Sequence, residues 1–227
     1  MSDDLDLQGL RQIPDPFAPS ALPPSRELPP RAPSPTRAER TRRRVLAAIA
    51  AVSFEVGWVV LVERRRDLGS LPAWSVALGL LIPLAAAALA FRAVSSKGRR
   101  GLGVPTSWLA ALCTFPPALF VVATLATRPP DADAGHFWDL AVRCMGVTSV
   151  LTAVPLALGA GVFRHAFVAA STWRTAALGV ACGALAAATM SLACWHDGAL
   201  HIVVGHGTMM MVGGAAGALL GRRITRA

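Results

Sequence analysis

The stretch "TWRTAALGVACGALAAATMSLACWHDGALHIVVGHGTMMMVGGAAGALLGRR", residues 172–223, decides the fold. It holds two apolar runs, 173–194 and 202–220, on either side of a short polar turn, "WHDGAL". Each run is near the ~20 residues that a helix needs to cross a bilayer. Glycines recur at every fourth position: Gly179 and Gly183 in the first run, then Gly213, Gly217 and Gly221 in the second. That spacing puts a ridge without side chains on one face of each helix, where two backbones can approach closely. The two runs are expected to form a tight helical hairpin.

The same pattern extends toward the N-terminus. Four further apolar runs cover 45–62, 71–91, 106–126 and 143–163, and charged residues are almost confined to the connections. The chain has 227 residues, 54% of them apolar and 15% charged, with a mean hydropathy of +0.51. Such a balance lies beyond an ordinary soluble domain. The expected fold class is an all-α integral membrane protein, a six-transmembrane-helix bundle over 45–227 with little mass outside the membrane. Prolines within the runs (Pro83, Pro116, Pro117, Pro155) are compatible with this, because neighbouring helices can satisfy the freed carbonyls.

The net charge of +9 follows the apolar runs. It fits lipid phosphate and topology, not nucleic acid, since no basic helix interleaved with aromatics is present. If the N-terminus is cytoplasmic, the inner connections carry Arg37, Arg40, Arg42, Arg43, Arg44, Arg92, Lys97, Arg99, Arg100, Arg164, Arg174, Arg222, Arg223 and Arg226. The outer ones carry Arg64, Arg65, Arg66, Arg128 and Arg143. The positive-inside rule then places both termini on the cytoplasmic side. The "ERRRDLGS" loop (63–70) runs against that trend.

Residues 1–44 are different material. Nine of the seventeen prolines fall there, so an extended, disordered cytoplasmic arm is expected, with no apolar stretch resembling a cleavable signal peptide. At its front, "SDDLDLQGLRQI" (2–13) has a capping serine, acids in the first turn, and Leu7, Leu10 and Ile13 at helical spacing. Too short to be stable alone, it can fold in a partner's groove, with Leu5 at the edge and Phe17 extending the face. The bland alternative is a frayed terminus with incidental leucines.

The chemistry-bearing residues gather in "CWHDGALHIVVGHGTMMM" (194–211). Cys194, His196, His201 and His206 are soft and borderline metal ligands. His201 and His206 are five apart, about 140° around an α-helix, so a metal ion would need His196 or a ligand from another helix. By depth, Cys144 opens the fourth run at the level of Cys194, whereas Cys113 and Cys182 lie deeper from the other side and read as packing residues. An outer Cys144–Cys194 pair permits a disulfide, a thiolate–imidazole metal site, or packing alone. Glu55 is the one acid inside a run, at a depth that allows a pairing with His206. No nucleophile–base pair, nucleotide loop or H-E-x-x-H motif is present, so no enzyme is expected and no cofactor beyond such an ion.

The C-terminal half carries a resemblance. "WDLAVRCMGVTSVLTAVPLALGAGVFRHAF", "TWRTAALGVACGALAAATMSLACW" and the closing "ALLGRRITRA" resemble the negative-regulator-of-sigma-F (NrsF-type) family, six-helix bacterial inner-membrane anti-sigma factors. The matching features are Cys144 heading the fourth span, Pro155 within it, the Ala/Gly-rich fifth span closing on Cys194, and the basic tail. The turn "CWHDGALH" (194–201) departs from the family pattern in its histidines. The resemblance implies a sigma factor as cytoplasmic partner. By length and composition the arm is the segment expected to hold it, and by position at the outer end Cys144, Cys194, Glu55 and His206 are expected to receive the envelope signal that releases it. The rival expectation is a small metal-handling or transport membrane protein that uses the outer histidines, cysteines and methionines.

Overall fold

A computed structural model of the chain describes residues 36–61, 65, 69, 71–96, 104–130, 137–163 and 171–224. The proposed contact residues Leu5, Leu7, Leu10, Ile13 and Phe17 lie outside the described residues. All regular structure among the described residues is helical. The helices are α1 (Arg37–Leu61), α2 (Ala73–Ser95), α3 (Thr106–Thr127), α4 (Phe137–Phe163) and α5 (Ser171–Ala193). The last helix, α6, runs as Ala199–Ile202, a π-helical turn Val203–Gly207, and Thr208–Ile224. Six helices are thus long and apolar enough to cross a membrane.

Helix α1 starts eight residues before the expected run, because the basic stretch "RAERTRRR" (37–44) is helical and not part of an extended arm. Arginine is a good helix former, and Glu39 pairs with Arg43 one turn on. At the other extreme, α1 exposes Val45, Leu46, Ile49, Val52, Val56 and Val60. So much contiguous apolar surface is of the kind that acyl chains cover.

The centre is α5, which touches all five other helices. Its alanines and glycines let them come close: Ala177, Ala184, Ala186 and Ala187 are fully buried. The expected α5–α6 hairpin is present, and its seam is backbone on backbone. A Cβ at Gly179 would sit 1.9 Å from the Gly213 carbonyl oxygen, one at Gly183 2.3 Å from that of Met209, and one at Gly217 2.0 Å from that of Thr175. No side chain fits at these positions.

Contacts fix the up-and-down order. At one end, here called proximal, Arg44 of α1 donates to the Ser95 carbonyl at the end of α2 and lies over the ring of Phe163, which ends α4. At the distal end, Arg65 follows α1, Arg128 follows α3, and the 194–198 turn joins α5 to α6. The Ala199 amide donates to the Pro129 carbonyl there at 2.9 Å, and the Arg65 amide to that of Leu192 at 3.1 Å. Cys182 belongs to an apolar cluster with Val94, Leu109 and Phe163, and Cys113 packs against the same cluster. Both thus behave as packing residues.

A buried cysteine–histidine cluster at the distal end

Three helices build the cluster. Cys144 lies on α4 two turns from its start, Cys194 is one residue past α5, and His201 and His206 lie on α6. Their ligand atoms all fall within 4.8 Å of one another. The Cys144 and Cys194 sulfurs are 3.7 Å apart, and the Cys194 sulfur is 3.4 Å from His201 Nε2. None of the four cysteines is in a disulfide. Below the cluster, Leu151, Ala186, Met190 and Ala193 form an apolar floor, against which Phe54 and Trp58 of α1 also pack.

The π turn creates this arrangement. In an α-helix His201 and His206 diverge by about 140°, but a π turn closes on i→i+5 and takes one more residue per turn. The Thr208 amide accordingly reaches the Val203 carbonyl. Residues five apart then share a face, and the two imidazoles meet edge to face with centroids 5.5 Å apart. The expectation that they diverge is overturned. The Gly205 carbonyl in the widened turn is taken up by the Thr148 hydroxyl at 3.0 Å. Gly205 itself gives Cys144 room, since a Cβ there would lie 3.1 Å from the Cys144 Cβ.

His196, expected as a ligand, sits at the rim. Its ring lies tilted against that of Trp195, its centroid is 5.2 Å from that of His201, and it falls outside the group of four. Cys144 takes its place in the set. Glu55 is buried on α1 near Thr189, and neither of its oxygens has a hydrogen bond of good geometry. It does not pair with His206, whose two ring nitrogens also lack such a partner among the described residues. Facing α5 instead of α6 separates them, so similar depth was not enough. The methionines are not ligands here: Met210 packs with Phe120, the Met209 sulfur accepts from the Ser149 hydroxyl at 3.3 Å, and Met211 is exposed.

Around the cluster runs a clamp. Asp197 in the turn receives Arg128 on one carboxylate oxygen at 2.8 Å and Arg65 on the other. Both arginine side chains are buried. Desolvation pulls the Arg128 guanidinium below its ordinary value, Asp197 opposes that, and neighbouring Arg65 adds to it. For Cys194 the Cys144 hydrogen bond leads; with His201 and His206 it holds the thiol below its usual range, against the raising effect of burial. A thiol so placed is ready to act as a thiolate ligand or nucleophile. Sequence reasoning missed the clamp, although an acid in one turn and unexplained arginines in two others were its signal.

Among the described residues, six helices with the lengths and apolar faces of membrane spans, and a buried two-cysteine, two-histidine cluster at one end, point to a multi-pass membrane protein. A family model described as "NrsF: Negative regulator of sigma F" matches residues 30–226. The chain belongs to this family. The match reaches well beyond the C-terminal half that carried the resemblance, taking in α1 to α3. Comparison with curated proteins and with solved structures found no match.

Proposed function

We propose that this protein is a membrane-bound anti-sigma factor. It sequesters an extracytoplasmic-function sigma factor through the cytoplasmic arm ahead of α1, residues 1–36, and releases it when an envelope signal acts at the distal end. The observation that carries this reading is the family match over 30–226, which names a negative regulator of a sigma factor. Six apolar helices and the basic residues at the proximal end support an inner-membrane location with both termini cytoplasmic. The proximal end then faces the cytoplasm and the cysteine–histidine cluster the outside. The bundle performs no chemistry of its own on this reading; it holds and lets go.

The test uses the full chain in detergent and purified candidate sigma factors, beginning with one encoded beside its gene. Retention of that factor is the expected result. Retention should be lost in the Leu7→Asp, Leu10→Asp double variant, because each leucine contributes roughly 1.5–3 kcal/mol when buried. A chain lacking residues 1–36 that still holds the factor would overturn the role of the arm. The rival reading, a metal-handling or transport protein, is favoured by the cluster of four ligand-type side chains. It requires ion movement into proteoliposomes, which the anti-sigma reading does not.

A further inference from the structure

We propose that Cys144, Cys194, His201 and His206 form a tetrahedral binding site for a divalent cation of the zinc class. The inference rests on the spacing of their atoms and is independent of the sigma-factor reading. Zinc bonds sulfur at about 2.3 Å and imidazole nitrogen at about 2.0–2.1 Å. In a tetrahedron those bonds set a sulfur–sulfur edge of roughly 3.8 Å and a sulfur–nitrogen edge of roughly 3.5 Å. The observed edges are 3.7 Å between the two sulfurs and 3.4 Å between Cys194 Sγ and His201 Nε2. A disulfide would need sulfurs at about 2.05 Å. These two edges match an ion's ligand spacing and not a bonded pair, and the remaining edges, to His206 included, all fall within 4.8 Å.

Burial and charge point the same way. His206 is 1% exposed and has no hydrogen bond of good geometry at either nitrogen among the described residues. A buried imidazole without such bonds costs free energy that a metal bond removes. Two thiolates and two neutral imidazoles around a divalent ion sum to zero charge, which a buried apolar setting tolerates. A monovalent ion would leave one net negative charge there. Copper(I) would also be expected to draw in thioether sulfur, yet the neighbouring methionines pack or face outward. Any proton still held by either thiol leaves to solvent on loading.

The local backbone is built for the same purpose. The π turn costs regular hydrogen bonding, and such turns concentrate at functional sites. Here it places His201 beside His206 on one face of α6. Packing alone has no need of that expense.

The purified full chain, stripped with chelator and reloaded, provides the test. Elemental analysis should find one Zn²⁺ per chain after gel filtration. Co²⁺ should give the intense ligand-field bands of a tetrahedral site with thiolate-to-metal charge transfer. Cys144→Ser, Cys194→Ser and His206→Ala should each weaken Zn²⁺ binding beyond the roughly 10–100-fold that loss of a supporting group costs. His196→Ala and the Cys113→Ser, Cys182→Ser double variant should bind normally. Because His206 is a core position, Cys144→Ser, on a half-buried side chain, serves as the variant whose fold is retained. Zn²⁺ content of the wild type no higher than that of a Cys144→Ser, Cys194→Ser double variant would overturn the site. So would loss in His196→Ala together with retention in His206→Ala. Metal is read with no sigma factor present, so its failure and that of the anti-sigma reading are separate results.

Discussion

Arg128, one residue beyond α3, and Asp197, in the turn between α5 and α6, meet at 2.8 Å, and Arg65 occupies the other carboxylate oxygen. This pairing gives Arg65 and Arg128 a structural role in connections that the proposed topology places outside. They tie three connections together at the distal end.

Asp197→Asn keeps the shape and removes the charge, leaving two buried guanidinium groups without a counter-ion. A loss of about 1–3 kcal/mol is expected, below the ~3–5 kcal/mol of a fully buried pair because Asp197 retains some solvent contact. Thermal unfolding in detergent reads it as a lower Tm. An unchanged Tm would mean that water already neutralises the arginines.

The glycine seam makes a sharper prediction. Gly183→Ala and Gly217→Ala place a Cβ 2.3 Å and 2.0 Å from carbonyl oxygens, which no rotamer change relieves. Each should cost at least the ~1–3 kcal/mol of an overpacked core and force α5 and α6 apart. Gly146→Ala, with open space around it, should be neutral or gain about 0.5–1 kcal/mol of helix propensity. Equal yields and melting temperatures for all three variants would show that the seam is looser than described.

Topology is checked by single cysteines in a background with all four native cysteines replaced by serine. Positions 69 and 130 should react with an impermeant thiol reagent on intact cells. Positions 96 and 223 should react only after permeabilisation. Labelling of 223 from outside would invert the bundle and remove the cytoplasmic arm with it.

Under the proposed function, the distal residues govern release and not capture. Cys144→Ser, Cys194→Ser and His206→Ala should alter transcription driven by the sigma factor, while the amount of factor bound by purified protein stays unchanged. Transcription equal to wild type in all three, with and without envelope stress, would reduce the cluster to a structural element.

Much of this architecture is legible in the chain because two periodicities carry it. Apolar length marks the six helices, and the four-residue recurrence of Gly179/Gly183 and Gly213/Gly217 marks which two of them meet. Depth counting pairs Cys144 with Cys194 and sends Cys113 and Cys182 to the other end. The misses share one cause. Angular reasoning assumes about 100° per residue, so it sends His201 and His206 apart; a π turn of five residues has no sequence signature that contradicts the α reading. Depth likewise cannot tell which neighbour a side chain faces, which is why Glu55 was matched with His206 and lies beside Thr189 instead. The Asp197 clamp joins three connections far apart in sequence, and charge pairing across loops has no period at all.

The seam between α5 and α6 has a mechanical consequence. Side chains interleaved between helices act as cushions, since rotamers give way before backbones do. Along Gly179, Gly183, Gly213 and Gly217 there is no cushion, so the two helices behave as one stiff strut running from the cysteine–histidine cluster to Arg222 and Arg223. Any displacement that an event at Cys194 or His206 produces is therefore conducted along the strut's length instead of being absorbed near its source.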